Sequence, residues 1–194
     1  MKAKDPHFIL EKIEKYIAED IRPSRVRKSV TINEWKYIET SMDDRIDDAW
    51  AVDYDDSDWA NFKLWDTWGG YDRVAWFRSE VNIPEDLRGR KLALRLVPGP
   101  RDGGGSTAEG LLYINGTPVQ AIDIWHEEAL LDETLCRQEK LSVALKVWSG
   151  VLKVPKFRTF KVAELLKLDM QDGNGNGYTL YETVVVARPE GGSL

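Results

Sequence analysis

The side chains best suited to nucleophilic or zinc chemistry are scarce in this sequence. Cys136 is the only cysteine, and it lies in a polar stretch with no histidine nearby. The two histidines, His7 and His126, are too few for a multi-histidine zinc site unless another chain contributes ligands. Nucleophilic catalysis and zinc binding each need several such side chains close together. The sequence offers no complete set for either chemistry.

Carboxylates are abundant, and two of them facing a sugar could act as the pair of a glycosidase. Examples are Glu109, Asp123, Glu127 and Glu128. A chain with 33 acidic residues always offers such pairs, so this pattern has almost no specificity. We therefore predict no catalytic residue in this chain.

His126 stands three residues after Asp123, a spacing that suits a hydrogen bond between the imidazole ring and the carboxylate. Such a bond would orient the ring, and it makes Asp123, Trp125 and His126 candidates for contact with a sugar or another domain. The alternative interpretation is a loop histidine whose hydrogen bonds serve only the loop.

Residues 43–58 form the densest acidic stretch of the chain. Oxygen ligands at alternating positions could hold a calcium ion, with Asp53, Asp55, Asp56 and Asp58 as candidates. The stretch lacks the glycine bend and the downstream bidentate glutamate of an EF-hand. The alternative is a turn in which Asp55 or Asp56 caps a short helical turn, so that Trp59 plugs a β-sandwich.

Eight tryptophans stand out in the composition. Tryptophan fills cores, but its flat ring also suits the C–H face of a sugar. Four aromatic residues lie in Gly- or Asp-bounded stretches and are candidates for sugar or interdomain contact: Trp65, Trp68, Tyr71 and Trp125. Trp76 and Trp148 lie within predicted strands, so we expect them in the core.

The overall charge limits the classes of partner. With 194 residues and a net charge of -6, the chain is acidic, which argues against nucleic acid and against attraction to a membrane. A single cysteine and the lack of a long apolar run near the N-terminus indicate a cytoplasmic protein without a signal peptide.

The periodicity predicts one helix followed by many strands. Residues 5–21 predict a helix with Asp5 as N-cap and Pro6 at its first position. Alternation and turn signals then predict strands over residues 29–38, 74–83, 91–97, 110–114, 118–122, 141–148 and 157–162, with residues 163–168 as a possible continuation, and over residues 178–187. Asn115-Gly116 predicts a tight hairpin.

This succession predicts a mainly β protein, an antiparallel β-sandwich or jelly roll with an N-terminal helix. We predict three parts: helix and connector over residues 1–28, a sandwich over residues 29–187, and a flexible tail over residues 188–194.

Two sets of residues resemble known families. Asp55-Asp56-Ser57-Asp58-Trp59, followed by Trp76-Phe77-Arg78, is similar to the galactose-binding-like jelly roll at the front of many glycoside hydrolases, including family 2 β-glycosidases. Trp76-Phe77-Arg78, Ile83-Pro84, Glu109-Gly110-Leu111-Leu112-Tyr113-Ile114-Asn115-Gly116, and Asp123 with His126 resemble the N-terminal region of family 38 α-mannosidases. The resemblance covers roughly residues 35–170.

The resemblance implies a parent enzyme that hydrolyses α-mannosides with zinc held in a separate catalytic barrel. Neither histidine here is followed two residues later by aspartate, so the family's His-x-Asp zinc motif is not present in this chain. We expect no cofactor here apart from the calcium hypothesis.

Two functions remain open. The chain could be a domain that docks onto the catalytic barrel, which would leave an apolar patch and a tendency to self-associate when the domain stands alone. It could instead be a carbohydrate-binding module for mannose-containing glycans. A stand-alone hydrolase is a third alternative.

Overall fold

The computed structural model of the chain describes residues 6–16, 26–43, 46–99, 108–123, 125–151 and 158–168. The chain divides into two compact units, Met1–Arg27 with Leu168–Leu194, and Lys28–Lys167. In the first unit, helix α1 covers Pro6–Tyr16, which confirms the described part of the predicted helix; residues 17–21 lie outside the described residues. No helix among the described residues is long and apolar enough to cross a bilayer.

The remaining described elements are strands and two short helical segments. They are β1 (Val26–Thr31), β2 (Glu34–Ser41), β3 (Ala60–Lys63), β4 (Thr67–Trp68), β5 (Arg73–Asn82), a 3-10 turn (Glu85–Leu87), β6 (Leu92–Val97), β7 (Glu109–Ile114), β8 (Thr117–Ile122), β9 (Glu128–Leu130), α2 (Glu133–Cys136), β10 (Lys140–Trp148), β11 (Arg158–Thr159) and β12 (Val162–Leu168).

The strands form two main sheets. One has six strands in the order β3-β2-β5-β10-β7-β8, the other has four in the order β1-β12-β6-β9, and β11 pairs with β4 in a short ribbon. At the tip of the β7–β8 hairpin, Asn115 and Gly116 have φ of 50° and 78°, the paired positive angles of a type I′ turn. The predicted β-sandwich and its hairpin are therefore confirmed.

One core lies between the two sheets. In β10, Leu141, Val143, Leu145 and Val147 alternate inward and are fully buried, because successive side chains of a strand point to opposite faces. The leucines of β6 meet them from the four-stranded sheet. The rings of Phe77 and Phe160 lie edge to face with centroids 5.1 Å apart.

A second apolar cluster lies on the outward face of the six-stranded sheet. Trp76 and Ala144 occupy outward positions of β5 and β10, and Ala49 and Trp59 pack against them from residues 46–59. We call residues 46–59 the cover segment. Trp59 is buried, as predicted, but it covers the outer face of one sheet and does not plug the interior of the sandwich.

The structure corrects two predicted strands. Residues 29–38 form two strands, β1 and β2, and the Trp35 indole donates back to the Ile32 carbonyl at 3.0 Å where the chain bends. The described residues 158–168 of the predicted strand over residues 157–168 also divide, because β11 pairs with β4 whereas β12 pairs with β6 in a different sheet. The predicted strand over residues 178–187 and the tail lie outside the described residues, so the proposed domain boundaries stay a prediction.

Candidate functional site

Residues 123–126 follow β8, and we call them the contact loop. Asp123 accepts the hydrogen bonds that order the described part of this loop. Its Oδ1 accepts the backbone N–H groups of Trp125 at 2.7 Å and of His126 at 2.8 Å. The Nδ1 atom of the His126 ring lies 2.9 Å from Oδ1 and 3.0 Å from Oδ2 of the same carboxylate. The hydrogen bond predicted from the three-residue spacing is confirmed.

The electrostatics of the contact loop favour the carboxylate form of Asp123. Partial burial alone would raise its pKa, but hydrogen bonds from the His126 ring and from two backbone N–H groups outweigh that effect. The pKa of Asp123 is consequently below its ordinary value. The acceptor that holds the loop together is thus maintained well into the acid range.

The indole of Trp125 stands out from this ordered loop. Its backbone is fixed by Asp123, while 81% of the residue is exposed. A large aromatic side chain on a fixed backbone can be buried by a partner with little loss of conformational entropy. The contact loop therefore has the geometry of an interface anchor.

The other aromatic candidates fall into two groups. Trp65 and Tyr71 are exposed, by 67% and 53%. Trp68 is only 1% exposed, because it lies in β4, donates its indole N–H to the Pro98 carbonyl at 2.7 Å, and packs edge-on against Phe77. The interpretation of Trp68 as a loop residue that contacts a sugar or another domain is wrong.

Asp55 and Asp56 of the acidic stretch stabilise local structure. Asp55 Oδ1 accepts the Ser57 N–H at 3.0 Å, which confirms the alternative of a carboxylate-capped turn, and Asp56 pairs with Arg78 at 2.7 Å. Asp53 and Asp58 are exposed. Within the described part of the chain, no group of three or more His, Cys, Asp or Glu residues is arranged to hold a metal ion. Calcium binding stays a prediction.

Cys136 does not provide a reactive thiol in the described structure. It is buried at the end of α2, its Sγ contacts the Leu131 carbonyl at 3.6 Å, and burial raises its pKa. A raised pKa disfavours the thiolate, which is the nucleophilic form.

A cleft of about 860 Å³, which was not predicted from the sequence, lies on the outward face of the six-stranded sheet; we call it the outer cleft. Its aromatic lining comes from four residues that are far apart in the chain: Trp50, Trp76, Tyr113 and Trp148. Trp148 points outward from β10 and is only half-buried, so its predicted place in the core is wrong. The alternation of side chains along a strand could have revealed it, because the outward positions of β5, β7 and β10 include the aromatic residues Trp76, Tyr113 and Trp148, whereas a solvated face would be polar.

Two antiparallel sheets enclosing one core, in this strand order, define a jelly-roll β-sandwich. A family model described as alpha-mannosidase, jelly roll domain, matches residues 29–150. The chain therefore belongs to the alpha-mannosidase jelly roll domain family, and the resemblance found in the sequence is confirmed. No curated protein matches the sequence.

Solved structures show the same fold within larger enzymes. A variant of beta-glucuronidase 2 from Bacteroides uniformis superposes with a TM-score of 0.54 at 18% identity, covering 73% of this chain and 18% of that chain. A beta-glycosidase from Bacteroides vulgatus gives 0.51 at 18% identity, covering 73% and 20%. A glycosyl hydrolase family 2 member from Bacteroides cellulosilyticus gives 0.51 at 15% identity, covering 72% and 20%. The chain thus spans at most 20% of these three enzymes.

Proposed function

We propose that this chain is a non-catalytic N-terminal β-sandwich domain of an α-mannosidase-like glycoside hydrolase, and that it packs against the catalytic barrel of that enzyme. Membership of the alpha-mannosidase jelly roll domain family over residues 29–150 supports the proposal. So does the occurrence of a similar sandwich as 18–20% of the three larger glycoside hydrolases.

The observation that carries the docking role is the contact loop. Trp125 is 81% exposed on a backbone that Asp123 holds with two hydrogen bonds. A tryptophan so placed is the type of residue that dominates the free energy of a protein interface. In this proposal Trp125 is buried by the barrel, and Asp123 with His126 borders the active site there.

The chemistry of hydrolysis belongs to the barrel in this proposal. In this proposal the His126 ring, bonded through Nδ1 to Asp123, serves the contact loop, and the buried Cys136 does not act as a nucleophile. The described residues also do not fit a zinc ion, since no suitable group of three ligands occurs among them. Zinc is expected in the catalytic domain.

Co-purification tests the docking role. The chain is co-expressed with a tagged α-mannosidase catalytic segment from the same organism, and the two are expected to elute together. Trp125→Asp should abolish this association, whereas Trp65→Asp, a matched change at another exposed tryptophan, should leave it intact. Failure of the unaltered chain to associate, or equal loss with both variants, would contradict docking through the contact loop.

A second candidate function is carbohydrate binding through the exposed loop aromatics. The exposure of Trp65 and Tyr71 favours it, because each ring presents a face on which a mannoside could stack. Calorimetric titration with short mannosides tests it. Saturable binding that disappears in Trp65→Ala would support this function, and a flat titration would oppose it.

A further inference from the structure

The outer cleft has a floor built by strand register. Across β5, β10, β7 and β8, four outward residues stand side by side: Trp76, Lys146, Leu111 and Ala121. Trp148 and Glu109 are paired in the next outward row. With neighbouring strands about 4.8 Å apart, four strands give a floor about 14 Å across, which suits a short oligosaccharide.

Two indoles at the cleft are held in place by protein contacts. Trp50, in the cover segment, stacks on Tyr113 at an interplanar angle of 18° and remains 37% exposed. Trp148 donates its indole N–H to Asp72 Oδ1 at 2.9 Å and is partly exposed. Rings fixed in this way can stack on the C–H face of a pyranose without first losing side-chain freedom.

The polar lining is mostly acidic. Four carboxylates line the outer cleft, from Asp47, Asp48, Glu109 and Asp123, against the single ammonium group of Lys146. The Lys146 Nζ also lies 5.6 Å from the centroid of the Trp76 ring. Carboxylate oxygens accept hydrogen bonds from sugar hydroxyls, while their excess negative charge repels uronates and phosphosugars.

From the combination of cavity size, fixed aromatic rings and acceptor-rich walls, we infer that the outer cleft binds a neutral oligosaccharide. Binding sites of this kind have volumes of about 300–1,000 Å³ and combine apolar surfaces with a few placed polar groups. The inference does not rest on the docking role. It also differs from binding through loop aromatics, because neither Trp65 nor Tyr71 lines the cleft.

Isothermal titration calorimetry of the full chain tests the inference with three neutral trisaccharides, of mannose, glucose and galactose, and with a trigalacturonate. At least one neutral trisaccharide should bind saturably with a Kd on the order of 1 mM or tighter, and the uronate should bind more weakly. Trp50→Ala, which removes one stacking ring, should weaken binding by about tenfold or more.

A second variant, which blocks the cleft, distinguishes loss of the binding site from loss of folding. Ala121→Trp adds bulk to an exposed floor position and should abolish binding, while Ala60→Trp, the same change at an exposed residue outside the cleft, should leave it unchanged within about twofold. Thermal melts confirm that each variant is folded. The inference is overturned if no neutral trisaccharide binds, if the uronate binds as tightly, or if Ala121→Trp binds like the unaltered chain. Loss of binding in Trp65→Ala with none in Trp50→Ala would also overturn it.

Discussion

The guanidinium group of Arg78 donates from Nε to Asp56 Oδ2 at 2.7 Å, and this ion pair secures the cover segment to the six-stranded sheet. Arg78 occupies an outward position of β5 and is only 5% exposed. Its Nη1 also donates to the carbonyls of Ala49 and Ala51. One side chain therefore binds the cover segment at three points and positions Trp50 as a wall of the outer cleft.

Replacing Arg78 by Met should destabilise the protein, because the Asp56 carboxylate and two backbone carbonyls lose their donor. We expect the free energy of unfolding to fall by about 1.5–3 kcal/mol, the range for hydrogen bonds to a charged group. Urea denaturation measures the change. Arg88→Met is the matched control, since Arg88 pairs with Glu139, whose side chain is 78% exposed, and should cost less than about 1 kcal/mol. Equal effects of the two variants would contradict the anchoring role of Arg78.

A second polar network links β2, β5 and the Gly69 turn. Glu39 Oε2 accepts a hydrogen bond from the Tyr37 hydroxyl and another from the Gly69 N–H, the latter at 2.7 Å. Glu39 Oε1 accepts a hydrogen bond from Arg73 Nε at 2.9 Å. Burial by itself would raise the pKa of Glu39, but the hydrogen bonds from Tyr37, Arg73 and Gly69 outweigh it and lower the pKa below 4.5. Burial raises the pKa of Tyr37, and its bond to Glu39 raises it further.

These shifts predict a pH dependence of stability. Because the folded pKa of Glu39 lies below the unfolded value of 4.5, its contribution is present above pH 4.5 and is lost as the pH falls through the folded pKa. Denaturation midpoints between pH 3 and 6 should therefore decline less steeply with acid in Glu39→Gln than in the unaltered chain. An identical acid slope in the two proteins would contradict the predicted pKa shift.

The stability of the protein should also depend on the ionisation of Tyr37 at alkaline pH. Its folded pKa is raised above the unfolded value of 10.0, so its contribution is complete below pH 10.0 and declines as the pH rises further. Tyr37→Phe should lower stability at pH 7 by removing the hydroxyl, yet lose less stability between pH 9 and 11. A steeper alkaline loss in Tyr37→Phe would be the opposite of this expectation.

Gly110 is required where β7 runs beside β10. A Cβ atom at this position would lie 2.8 Å from the Lys146 carbonyl oxygen and 3.2 Å from Leu145 Cδ1. Since a backbone oxygen in a central strand cannot move aside, Gly110→Ala should cost about 2–3 kcal/mol by overpacking. Gly89→Ala is the control, because its Cβ meets open space and only its φ of +70° is unfavourable, for a cost of about 1 kcal/mol. Thermal denaturation of both variants measures the difference, and a Gly110→Ala protein as stable as the original would contradict the packing.

The contact loop should lose its order when Asp123 is removed. In Asp123→Ala the Trp125 N–H loses its side-chain acceptor, whereas the His126 N–H keeps the Asp123 backbone carbonyl at 3.2 Å. Amide hydrogen exchange at residue 125 should therefore accelerate by about tenfold or more, and exchange at residue 126 should accelerate less. The melting temperature should change little, because the loop lies outside the core. Asp123→Asn, which keeps one acceptor oxygen, should give an intermediate rate. Unchanged exchange in Asp123→Ala would mean that the carboxylate does not hold the loop.

Alternation and turn signals together made the longer strands predictable from the sequence. The predicted limits of β5, β6, β7, β8 and β10 agree with the structure to within one residue at either end. The strands β3, β4 and β9 have two to four residues each, too few to show a period, and they form only because a neighbouring strand pairs with them.

The candidate site was predictable only where it is local in the chain. The Asp123–His126 hydrogen bond follows from a three-residue spacing, and the structure confirms it. The burial of Trp68 was missed, because flanking Asp and Gly residues suggested a loop although the indole fills the core beside Phe77. The outer cleft was missed because its walls come from segments that only the folded sheet brings together.

The most direct test of the proposed function is an assay of aryl α-mannoside hydrolysis. The purified chain alone should show no turnover with or without added zinc, and activity should appear only when an α-mannosidase catalytic segment that associates with the chain is present. In that complex Trp125→Asp should reduce activity together with association. Turnover by the chain alone, at a rate proportional to its concentration and unaffected by Trp125→Asp, would contradict a non-catalytic docking domain.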